Sequence, residues 1–160
     1  MYFWNSIYLI PKINTGQIVY FSKGSLGTNY LDNIGEKNRN GGSWSWPEPF
    51  GVWSEGKLAT LFIPRPRDAF NTLTFDIQPY INSDIPTQSI AISVNGSPPD
   101  YFNLNSSEIQ KIQIHFKKPV ISPYLRIEFQ LPNAKSPFEL GRSTDDRKLS
   151  IGLISLSFHE

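Results

Sequence analysis

Apolar residues recur at every second position in segment after segment of this chain. In Thr72–Ile77, Leu73, Phe75 and Ile77 alternate with Thr72, Thr74 and Asp76. Ile90, Ile92 and Val94 share one face of Gln88–Gly96, and Ile112, Ile114 and Phe116 share one face of Lys111–Phe116. In Tyr124–Leu131, Leu125, Ile127, Phe129 and Leu131 alternate with Tyr124, Arg126, Glu128 and Gln130. Near the end, Ile151, Leu153, Leu156 and Phe158 keep the pattern with one slip at Ile154, the mark of a β-bulge. A period of two describes strands with one buried and one wet face. The 13 prolines work against long helices, because each removes a backbone donor and clashes with the preceding turn.

With Lys57–Pro64, Gly16–Lys23 and the weaker Ile7–Ile10, the count comes to about eight to ten short strands. Turn chemistry separates them: Asn95–Gly96 followed by two prolines, Pro64–Asn71, and Lys117–Pro123. One helical turn is expected at Ser106–Ile109, with Ser106 as its cap, and another near Tyr30–Ile34. No repeat or linker divides the chain, so residues 1–160 read as a single domain. Sheets with one apolar face each must cover one another. The expected fold is all-β: a single antiparallel β-sandwich, jelly-roll-like, with an immunoglobulin-like order as the alternative.

Charge and composition narrow the chemistry. Fifteen Lys and Arg against 14 Asp and Glu give a formal charge of +1, without the basic concentration that phosphate backbones require. No nucleic-acid partner is expected. The absence of cysteine rules out disulfides, thiolate metal sites and thiol nucleophiles. The two histidines, His115 and His159, form no HExxH or other metal spacing. There is no G-x-S-x-G, P-loop or dinucleotide fingerprint, and neither a metal nor a cofactor is expected. The N-terminal MYFWNSIYLIPKI lacks a basic n-region and is interrupted by Asn5, Ser6 and Pro11. No stretch reaches the length of a membrane helix, so direct membrane insertion is not expected.

The chemistry that stands out is GSWSWPEPFGVWSE, Gly42–Glu55, with three of the four tryptophans. Trp44 and Trp46 would share one side of an extended segment. An indole can carry the apolar face of a sugar ring while carboxylates and guanidinium groups take its hydroxyls. Glu48 lies between Pro47 and Pro49, which restrict its backbone. Trp44, Trp46 and Glu48 are therefore the candidate glycan-binding residues. The competing reading makes the tryptophans core material, Trp53 foremost. In the polar stretch Gly141–Lys148, Arg142, Asp145, Asp146 and Arg147 would fix a loop through ion pairs. Arg142 or Arg147 is a further candidate at a ligand edge, and Asp145 with Asp146 a candidate structural calcium pair. A glycosidase would need two carboxylates across one bond; Glu48 with Glu55, or Asp76 with Glu128, are the pairs that can be named.

GSWSWPEPFGVWSEGKLATLFIP, ISVNG at Ile92–Gly96 and SPFELGRSTDDRKLSIGLISLSF together resemble a family of β-sandwich accessory domains. These are attached to bacterial membrane phosphoglycerol-transferase-like and glycosyltransferase-like proteins of surface-glycan assembly. Glu48, Trp53, Ser54, Asp145 or Asp146, and Arg147 fall on the family's patterned positions. Val52 and Ser150 depart from it. The resemblance implies a noncatalytic carbohydrate-associated module, extracytoplasmic or envelope-associated, with a glycan or a neighbouring glycan-assembly enzyme as partner. The alternative is a structural or protein-interaction module that positions such an enzyme.

Overall fold

Ten strands run through the computed structural model, which describes residues 10–35 and 42–160. They are β1 (Val19–Tyr20), β2 (Gly42–Trp44), β3 (Val52–Gly56), β4 (Leu58–Pro64) and β5 (Thr72–Pro79). β6 (Gln88–Val94), β7 (Asp100–Leu104), β8 (Gln110–His115), β9 (Tyr124–Gln130) and β10 (Ile151–His159) follow. One sheet has the order β2-β3-β10-β5-β8, with β1 beside β10, and the other has the order β4-β9-β6-β7. All strand pairings are antiparallel. Counted from β3 to β10, the sheets read first-eighth-third-sixth and second-seventh-fourth-fifth. That is jelly-roll order and sets aside the immunoglobulin-like alternative.

The alternating positions face where a two-sheet core requires. Leu73, Phe75 and Ile77 of β5 are fully buried, as are Leu125, Ile127 and Phe129 of β9. Phe75 meets Phe129 edge-on at 5.3 Å, joining the two sheets at their centre. Each such side chain contributes roughly 1.5–3 kcal/mol of burial. The buried Gln88 side chain is paired at both ends: it donates to the Tyr80 carbonyl at 2.8 Å and accepts from Ser150 at 2.7 Å.

The slip in β10 is a register shift between Leu153 and Ser155. β5 takes one edge of β10; β3 and β1 share the other end to end. The bulge falls at their junction, where the Ile154 carbonyl accepts the Phe21 N–H at 3.0 Å. Asn95 and Gly96 both have positive φ and form the tight turn after β6, closed by Ser97 N–H on the Val94 carbonyl. Ser106 Oγ accepts the Glu108 N–H at 3.1 Å as expected of a cap, but the segment is a bend at Ser107–Glu108 and not a helical turn.

Several local expectations need correction. The strand expected over Gly16–Lys23 shortens to Val19–Tyr20, because Gly16 and Gly24 take positive φ and turn the chain at both ends. The helical turn lies at Leu26–Tyr30, not Tyr30–Ile34, and is 3-10. Leu31 and Ile34 instead form isolated bridges to Leu61 and Trp44. His159 pairs opposite Thr72, and its Nε2 lies 2.7 Å from Ser157 Oγ. Of the weak candidate Ile7–Ile10, residues 7–9 lie outside the described residues.

Tyr30 closes that 3-10 turn, buried, with its hydroxyl donating to the Pro11 carbonyl at 2.5 Å. Burial pushes its phenol from 10.0 up to about 12. Keeping it neutral therefore contributes stability that is intact below pH about 10 and lost as pH rises through about 12. Phenolate absorbance should show one late titration step that disappears in Tyr30→Phe. If no late step depends on Tyr30, the buried placement is wrong.

Candidate functional site

Trp44 and Trp46 do not share a side. Trp44 ends β2, opposite Ser54, and is 0% exposed. Its indole N–H donates to the Thr60 carbonyl at 2.8 Å, and its ring meets Phe129 edge-on at 5.8 Å. It is core, not a sugar platform. The pairing with β3 ends at Ser45, whose N–H donates to the Trp53 carbonyl at 2.9 Å, and the Trp46–Pro47 step cannot extend it, since proline has no N–H to pair. Freed from strand alternation, Trp46 turns outward and is 71% exposed. Trp53 is half-buried between Phe50 and Tyr80, at ring distances of 5.3 and 6.3 Å.

Glu48 sits in a turn whose backbone is fully used. Its N–H donates to the Gly51 carbonyl at 2.8 Å, and its carbonyl accepts from Gly51 and Lys23. The prolines on either side therefore flank a fixed carboxylate. Glu48 Oε2 is buried without a hydrogen-bond partner, and Arg147 Nη1 stands 3.6 Å away. Arg147 itself grips Asp145 as a fork, Nη2 to Oδ2 at 2.7 Å and Nε to Oδ1 at 2.9 Å. The Asp145 hydrogen bonds, opposed by burial and reinforced by the charges of Asp145 and Glu48, raise the guanidinium above its ordinary value. Glu55, on β3, is 8% exposed and accepts a long 3.4 Å bond from Ser45 Oγ.

These groups meet. Trp46, Glu48, Glu55, Arg147, Ser45 and Gly35 line a shallow concavity of about 240 Å³. A Cβ on Gly35 would lie 2.5 Å from Trp46 Cε2, so the indole rests against bare backbone there. The structure thus brings Trp46, Glu48 and Arg147 together and adds Glu55, Ser45 and Gly35. Ser45 and Gly35 carried no signal in the sequence. Arg147 did, through its patterned position beside Asp145.

Arg142 lies elsewhere. Its Nε donates to Asp84 Oδ2 at 2.8 Å and its Nη2 to Ser83 Oγ at 2.7 Å. It ties the C-terminal loop to the Asn82–Ile85 turn rather than edging the Trp46 site. Upstream, Ser136 N–H donates to Glu139 Oε1 and Glu139 N–H donates to Ser136 Oγ, a reciprocal pair that lowers the Glu139 pKa. The loop is thus fixed by charge and hydrogen bonding, with Asp145 held by Arg147 rather than offered to calcium. Among the described residues no group of three or more His, Asp or Glu side chains is placed to hold a metal. No described helix is long and apolar enough to cross a membrane. The pair Asp76 and Glu128 projects from the outer faces of opposite sheets. Asp76 binds Lys111 and Ser155, whereas Glu128 pairs with Arg126, so the two cannot flank one bond.

No protein-family model matches the chain, and no curated protein matches it in sequence. Among solved structures, it is similar to an acetyl xylan esterase, Est2A, from the rumen bacterium Butyrivibrio proteoclasticus. The TM-score is 0.49 at 10% identity, over 89% of this chain and 32% of the esterase. It is also similar to a cycloisomaltooligosaccharide glucanotransferase of Paenibacillus sp., complexed with cycloisomaltoheptaose. There the TM-score is 0.42 at 13% identity, over 92% of this chain and 18% of the enzyme. This chain thus spans about a third and a fifth of those proteins. Neither likeness bears on the residues of the Trp46 concavity.

Proposed function

We propose that this chain is a noncatalytic carbohydrate-binding module, with bacterial surface glycan as its ligand class. The observation that carries the reading is the Trp46 concavity: an outward indole beside a backbone-fixed carboxylate and an oriented guanidinium. Trp46 would take the apolar face of a sugar ring against its indole. Glu48 and Arg147 would then accept from and donate to its hydroxyls, which gives the ring its orientation. The resemblance to accessory domains of surface-glycan assembly supports the ligand class and suggests a glycan-assembly enzyme as the module's neighbour. It also suggests an extracytoplasmic position.

A screen of bacterial surface polysaccharides, followed by tryptophan fluorescence, tests this. Saturable binding is expected, with a blue shift as Trp46 leaves water. Trp46→Ala should weaken it at least about tenfold, and Glu48→Gln less, with unfolding midpoints unchanged. No binding across the screen would overturn the reading and favour a scaffold role. Hydrolysis of a bound glycan, lost in both Glu48→Gln and Glu55→Gln, would overturn the noncatalytic part.

A further inference from the structure

A second and larger cleft, of about 720 Å³, shares no residue with the Trp46 site. It opens between the end of β6, the turn Asn95–Pro99 that follows, and the segment Ile114–Ser122 at the end of β8. Ile92, Val94 and Ile114 form its buried walls, and Phe116 and Val120 are half-buried beside them. Ile121 stands at its rim, 88% exposed. The rim segment is anchored: Arg65 Nη1 donates to the carbonyls of Val120 at 3.1 Å and Ile121 at 2.6 Å.

Most polar groups of this lining already have partners. Asn95 accepts from the Arg126 N–H at 2.7 Å and donates to the Tyr124 carbonyl. Ser97 donates to the Val94 carbonyl at 2.7 Å, and His115 Nδ1 lies 3.2 Å from Thr72 Oγ1. Lys117 and Lys118 are different. Both are exposed, and neither pairs with a carboxylate among the described residues. Asp100, the single carboxylate of the lining, lies beyond ion-pair distance of both.

A sugar needs free hydrogen-bonding groups around its ring; the buried walls Ile92, Val94 and Ile114 supply none, and Asn95, Ser97 and His115 are already engaged. The lining suits the opposite division: an apolar body within and a negative charge at the rim. The volume falls in the range of small-molecule sites, about 300–1,000 Å³. We propose that this cleft binds a single-chain amphiphile with an anionic head. Its acyl chain lies along Ile92, Val94, Ile114 and Val120. Its head sits on the Lys117 and Lys118 ammonium groups, and Ile121 closes over the chain.

Dodecanoate, kept below its micelle concentration, is the probe, titrated into the full chain by calorimetry with methyl NMR shifts as the site readout. One-to-one saturable binding that shifts the isoleucine and valine methyls of the cleft is expected. Lys117→Ala/Lys118→Ala should weaken it about tenfold, since exposed ion pairs contribute modestly each. Ile121→Ser should also weaken it. All three positions are exposed, so circular dichroism should show an unchanged fold. Dodecyltrimethylammonium, with the same chain and opposite charge, should bind at least about tenfold more weakly. Equal binding of the two surfactants, no saturable binding, or shifts confined to other residues would each overturn the proposal. Capture by anionic vesicles without binding of monomeric dodecanoate would also overturn it, identifying a membrane-docking loop instead.

Discussion

Trp44→Ala is expected to destabilise this protein by about 4 kcal/mol, while Trp46→Ala, two positions on, changes stability by less than about 0.5 kcal/mol. The difference follows from where the two rings sit. Trp44 is 0% exposed and packs edge-on against Phe129, which in turn meets Phe75 across the sandwich. Truncation opens a cavity at the junction of both sheets and strips the Thr60 carbonyl of the indole donor. Trp44→Phe separates the two terms: it keeps most of the ring and loses the hydrogen bond, at an expected cost of about 1–2 kcal/mol. Chemical denaturation of the three variants is the measurement. Similar losses for Trp44→Ala and Trp46→Ala would contradict the opposed placement of the rings, and with it the Trp46 site.

Gly51→Ala is expected to cost about 3 kcal/mol or more. Gly51 has φ +153, and a Cβ there would stand 2.4 Å from the Leu153 carbonyl oxygen. That atom is backbone, at the last paired position before the β10 bulge, so it cannot swing aside as a side chain would. The strain would spread to function, because the Gly51 carbonyl accepts the Glu48 N–H and so holds the carboxylate of the candidate site. Gly96→Ala is the control. It also has positive φ, but nothing lies within 4 Å of the added carbon, so only the conformational cost of about 1 kcal/mol is expected. Equal losses at the two glycines would show that the close approach of β3 to β10 is not what requires Gly51.

The sheets were readable from the chain because their cause is local. A strand with one buried face must alternate, and Leu73-Phe75-Ile77 and Leu125-Ile127-Phe129 do so in sequence, although Thr72 and Thr74 on the other face of β5 are buried too. The bulge at Ile154 was readable for the same reason, as a break in that alternation. The short strand β2 was not, since three residues are too few to show a period, and β1 was read only with bounds too wide. β7 was missed as well. It lies at a sheet edge with most of its side chains exposed, so no apolar repeat marks it.

What the sequence determined by itself is the all-β class and the residue types available for binding: tryptophans beside a proline-flanked glutamate, and no cysteine. Only the tertiary structure decided which tryptophan faces water. Trp44 and Trp46 have the same side chain and nearly the same neighbours. Their fates diverge because the β2 ladder ends between them, and a ladder is a property of two strands, not one. Arg142 and Arg147 divide in the same way. One reaches the Asn82–Ile85 turn and the other reaches Glu48, since the fold brings different distant partners to each. The cleft of Lys117 and Lys118 was the least readable of all. Its walls come from β6 and β8 in different sheets, and their meeting depends on jelly-roll closure rather than on any spacing along the chain.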